Sequence, residues 1–169
     1  TLVFLWRELA PRSRLSVAQG VERSLDDAVS LARREVTASH GEAAAMAAQA
    51  AARLGRGESP ERALAALRPA PYVALLTEPG PKRLLALHGP WPASAARAFL
   101  EHPLVAWPES PLPVQLVPAP DSTTVVVAAV RVGTQRPLQL VLVALPVPAS
   151  QAAAIRSLVA GAQHAHRLG

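Results

Sequence analysis

The feature that most constrains the fold is a change of hydrophobic period at Pro69. Before it, large apolar residues recur every three or four positions, the spacing of amphipathic helices. After it, short apolar runs are separated by Pro, Gly, Asp and Ser, the spacing of strands and turns. With 169 residues, half of them hydrophobic and 17% charged, the chain can bury one sizeable core and does not resemble a disordered polyelectrolyte. The longest apolar runs after Pro69, such as Val125 to Val130 and Leu140 to Leu145, fall far short of the ~20 residues a membrane helix needs.

The first six residues, Thr1 to Trp6, are apolar or aromatic except for the leading threonine, and Arg7, Glu8, Arg12 and Arg14 follow. This abrupt change reads either as the last turn of a membrane helix with Trp6 at the interface, or as a buried first strand. From Ser16 the spacing predicts a long helix, opened by a Ser16–Gln19 capping box and carried by Val17, Val21, Leu25, Val29, Ala32 and Val36. It is expected to end near His40 and Gly41. A second, Ala-rich helix is predicted over Glu42 to Leu54, and a short one opens at Ser59-Pro60-Glu61 with Leu64 and Leu67 as anchors. Tyr72 to Thr77 and Arg83 to His88 read as a hairpin across the five-residue loop Glu78 to Lys82. A short helix over Ala93 to Glu101 precedes a Pro-rich connector from His102 to Pro113. Val114 to Val117, Thr123 to Val132 and Leu138 to Leu145 read as three further strands, the last stopped by Pro146 and Pro148. A final helix is predicted from Ser150 through Ile155, Leu158, Val159 and Ala162.

Successive hairpins imply an α+β fold, a five-stranded antiparallel sheet with helices on one face. The order, a long N-terminal helix, a hairpin, a helical connector, a three-strand meander and a C-terminal helix, is similar to that of PAS-like or single Cache sensor domains. In those domains the hairpin and the meander form one sheet and the connector closes a pocket.

The chemistry in the sequence excludes more than it offers. Without cysteine there is no disulfide framework, thiolate zinc site or thiol nucleophile. The glycines never approach the spacing of a phosphate-binding loop, and His164 and His166 stand two apart, so no metal site, cofactor or catalytic residue is expected. Sixteen of the seventeen basic residues are Arg, mixed along the chain with acids and giving a net charge of +5. No basic stripe is interleaved with aromatics, which argues against a nucleic-acid partner. The connector is where a ligand reading has support. Trp91, Arg97, Phe99, His102 and Trp107 put aromatic walls and cationic donors beside His88, with Tyr72 and Arg131 on strands that can face the same side. Such a set suits a small carboxylate, the cation balancing charge while the aromatics exclude water. The competing reading is that Trp91, Phe99 and Trp107 simply fill core volume. The stripe Val17, Val21, Leu25 and Val29 reads as the seam of a helical homodimer or as a face packed on the sheet.

The segment VAQGVERSLDDAVSLARREV, Val17 to Val36, resembles the start of the extracytoplasmic region of NtrY-like sensor histidine kinases, and Leu142 to Pro148 with the following helix is similar to that region's end. The resemblance covers about a third of the chain. It implies a signal-sensing domain of a membrane-bound two-component kinase, at the inner membrane and facing the periplasm, with no catalysis of its own. Residues 1–15 would be the end of a membrane helix and its juxtamembrane segment, 16–148 the sensor domain with helices at 16–68 and sheet and connector at 71–145, and 149–169 the helix leading back to the membrane. The alternative is a ligand-free interaction or scaffold domain of a cell-envelope protein.

Overall fold

A computed structural model describes residues 2–102, 116–134, 136–148 and 151–153, with side-chain environments from residue 17 onward. The architecture is α+β. Helix α1 (Leu2–Gly55) is followed by α2 (Pro60–Ala65), the hairpin β1 (Val73–Glu78) and β2 (Arg83–His88), α3 (Ala93–Glu101), and the strands β3 (Leu116–Pro118), β4 (Thr124–Arg131) and β5 (Leu140–Val147). The five strands form one antiparallel sheet in the order β2-β1-β5-β4-β3, so β1 and β5, distant in sequence, are the neighbours that join hairpin to meander.

Two corrections concern α1. The helix starts at Leu2, ahead of Ser16, and does not break at His40–Gly41 but runs on to Gly55 as one element of 54 residues. Gly41 is exposed with open space where a side chain would be, and Val36 and Ala43 on either side of it are both buried. Tertiary burial on both sides outweighs the roughly 0.5–1 kcal/mol that a mid-helix glycine costs. The helix stops where Gly57 turns into the left-handed region at φ +84° and the Arg56 and Gly57 N–H groups bond back to the carbonyls of Ala52 and Leu54.

The alternation of the strands divides the core in two. On one face Ala74, Leu76, Ala128, Val141 and Val143 meet Ala43, Met46, Ala47 and Ala50 of α1, with Leu64 and Leu67 of the α2 region closing the side. Alanine is what allows a helix backbone to lie this close to a sheet. On the other face Val73, Leu75, Val125, Val127, Leu140 and Leu142 meet Trp91 and the Ala96, Phe99 and Leu100 face of α3. Every residue of β1 is buried, because both of its faces are covered.

Smaller differences have local causes. Glu78 belongs to β1 and pairs with Arg83, which shortens the hairpin loop to Pro79–Lys82. Pro146 does not end β5. It pairs with Val125, beyond Ala144 opposite which β1 begins, so on the β1 side that part of β5 is an edge and needs no donor. Ser59 sits at the start of α2 in extended conformation ahead of Pro60, as its sequence predicts, but its side chain makes no capping bond. Residues 151–153 are helical; Ile155, Leu158, Val159, Ala162 and the connector beyond His102 lie outside the described residues.

Candidate functional site

Gly89 sets the geometry of the site. Its φ is +136°, and a Cβ there would stand 2.6 Å from the Tyr72 carbonyl oxygen and 3.0 Å from Val73 Cγ2, so only glycine lets the chain leave β2 this close to the start of β1. Two residues later Trp91 is packed into the α3 face of the sheet, only 5% exposed. Its ring lies 4.9 Å from that of Phe99 at a tilt of 60°, and 6.3 Å from Tyr72, edge to face at 85°. Both separations fall within the favourable range for aromatic pairs.

The Tyr72 hydroxyl donates to Asp121 Oδ2 in the β3–β4 turn. Asp121 is itself fixed there, its Oδ1 accepting from the Thr123 backbone N–H at 3.1 Å and from the Thr123 hydroxyl at 2.7 Å. Tyr72, just ahead of β1, thus links Trp91 to the β3–β4 turn. The Trp91 indole N–H is buried and meets no acceptor among the described residues. An unmade bond of this kind costs about 1–3 kcal/mol, and an acceptor placed against it would recover much of that.

The residues singled out in the sequence are not all brought together. Trp91 and Tyr72 are in contact, and Phe99 completes the cluster. Arg97 is exposed on α3, while Ala96, Phe99 and Leu100 take the sheet-facing side. Arg131 pairs with Leu140 and so shares the aromatic face, but it is exposed at the end of β4. His88 pairs with Ala74 and therefore shares the opposite, α1-covered face, where it is half-buried. Trp107 lies outside the described residues. The described cluster is thus aromatic without an inserted cation, and the ion pairs Arg53–Glu58 and Arg83–Glu78, each at 3.3 Å, belong to other parts of the molecule.

Two features escaped sequence reasoning. Asp121 was legible only as turn chemistry within Pro118 to Ser122; nothing in the order of residues says that Tyr72 reaches it. On the α1 side, a cleft of about 720 Å³ opens between the end of α1, Pro60 and the β4–β5 loop, floored by Leu54, Leu76 and Leu85 and rimmed by Glu58, Arg136 and Gln139. No group of His, Asp or Glu side chains suited to a metal occurs among the described residues. No helix among them is long and apolar enough to cross a membrane. Compared with known proteins, the chain matches no family model, no curated protein and no solved structure.

Proposed function

We propose that this chain is an extracytoplasmic signal-sensing domain of PAS-like or Cache-like type, from a membrane-bound sensor histidine kinase, and that it relays its signal through the helices flanking the sheet. The observation that carries this reading is the sheet: a hairpin and a three-strand meander joined through β1 and β5, with a long helix on one face and α3 opening the connector on the other. The likeness of Val17 to Val36 to the NtrY-like kinases supports the same reading. The ligand site in this proposal is the Tyr72–Trp91–Phe99 cluster, and the buried indole N–H selects for a small molecule carrying a carbonyl or carboxylate oxygen. Binding shifts the population between two arrangements of the flanking helices, to the extent that the ligand prefers one of them.

The test is a thermal-shift screen of mono-, di- and tricarboxylates and amino acids on the wild-type protein and on Trp91→Phe, which keeps a ring and removes the donor. A true ligand at about 100 times its Kd stabilises the folded state by about 2.7 kcal/mol. That stabilisation is expected in the wild type and is lost in Trp91→Phe. A screen without any shift, or a shift that survives the substitution, removes the cluster as a ligand site and leaves the interaction-domain reading. The exposed Val17, Val21 and Leu25 of α1 favour that second reading, since they are an apolar surface awaiting a partner.

A further inference from the structure

Leu85 is where the sheet departs from regular alternation. The register of β1 with β2 shifts between Leu76 and Thr77: Ala86 stands opposite Leu76 and Leu84 opposite Thr77, so Leu85 has no partner across the pair. Leu84 packs on the α3 side, whereas Leu85 and Ala86 both pack on the α1 side. A bulge of this kind re-aims a side chain, and here it sets Leu85 into the floor of the cleft at the end of α1. Leu54, Leu85 and Val132 are only half-buried there, so the α1-side core opens to solvent through this cleft. Its volume of about 720 Å³ is that of a small-molecule site. The charge lies on the rim. Both carboxylate oxygens of Glu58 accept from Arg53 Nη1 at 3.3 Å, which makes that pair neutral. The Val132 N–H donates to the Gln139 carbonyl at 2.9 Å, closing the base of the β4–β5 loop that brings Arg136 to the rim. Among the described residues Arg136 has no ion-pair partner, and it is the one cation lining the cleft.

We propose that this cleft binds an aliphatic carboxylate, its hydrocarbon chain against Leu54, Leu76 and Leu85 and its head on the Arg136 guanidinium. The leucine floor selects the chain, because covering it removes apolar surface from water on both partners. The single cation selects the head. A planar guanidinium meets a carboxylate through two parallel N–H bonds and balances its one negative charge. A phosphate dianion would keep an unbalanced charge at a rim that already holds Glu58. The site lies on the opposite side of the sheet from the Tyr72–Trp91–Phe99 cluster and does not rest on the sensor reading. The short carboxylates and amino acids that would suit the cluster have no chain long enough to cover the leucine floor.

Calorimetric titration of the full chain with sodium octanoate, below its micelle concentration, is expected to show saturable binding. Arg136→Gln, at an exposed loop position, should weaken it about tenfold or more while the unliganded protein melts as before. Butyrate, which cannot cover the floor, and 1-octanol, which has the chain without the charge, should each bind about tenfold or more weakly than octanoate. Trp91→Phe and Arg97→Gln, both away from the cleft, should leave octanoate affinity unchanged within about twofold. Absence of saturable octanoate binding, undiminished affinity in Arg136→Gln, or equal affinity for 1-octanol overturns the proposal. So does a loss confined to Trp91→Phe, which would put octanoate in the aromatic cluster; failure of the cluster's own ligands leaves the cleft untouched.

Discussion

The two faces of one sheet are built on different principles. Alternate residues of the same strands meet α1 through alanine on one side and α3 through large aromatic side chains on the other. The α1 face is filled by close approach of backbones, which fixes the helix to the sheet and leaves few polar demands. The α3 face is filled by ring volume around a buried indole N–H that nothing described satisfies. Rigid framework and chemical opportunity are therefore separated by the thickness of the sheet, and β1 and β5 contribute residues to both sides.

The comparison is broken most severely on the aromatic side. Phe99→Ala removes a ring that is 4% exposed and in contact with Trp91, and should cost about 3–5 kcal/mol in chemical denaturation; a loss below that range would mean the face collapses freely and is not held by its rings. Gly89→Ala should cost about 2–3 kcal/mol, because an L-residue at this φ is strained and its Cβ meets backbone. Its tryptophan emission is expected to shift to the red as Trp91 is displaced; unchanged emission and stability would show that Tyr72 and β1 can yield. Ala50→Leu tests the other face. Ala50 is fully buried against the sheet, and overpacking there should cost about 1–3 kcal/mol in a denaturant titration, whereas a stabilised variant would reveal slack beneath α1. The smallest effect is expected for Arg97→Ala, within about 0.5 kcal/mol by thermal melting, since Arg97 is exposed on α3; a larger loss would show that its guanidinium joins the aromatic cluster.

Much of the fold was legible because period and punctuation agree. Ala93–Glu101 emerges with the predicted limits, framed by Pro92 and His102, and the hairpin and meander follow their turn residues. What was illegible depends on tertiary context. Gly41 reads as a stop until Val36 and Ala43 are seen to share one sheet, and Pro146 reads as a stop until β5 is seen to outrun β1. The site divides in the same way. The contact of Tyr72 with Trp91 joins residues that composition alone could group, but the side of the sheet taken by His88 depends on register. A shift between Leu76 and Thr77 alters the pairing of β1 with β2, and a one-residue slip exchanges the faces. The sequence-based set mixed residues of both faces because the shift has no signature in composition.

The strand order has one more consequence, for how the molecule keeps to itself. It places β2 and β3 at the two margins of the sheet. An unpaired strand invites another chain to add to it, and both margins discourage that growth. β3 ends in Pro118, which has no N–H to offer. β2 follows the sharp turn at Lys82, opens with the exposed cation Arg83 and carries an irregular register against its neighbour. Among the described residues a polymerising neighbour would find no long, flat, uncharged ladder at either margin, so crowding at high concentration should leave this sheet five strands wide.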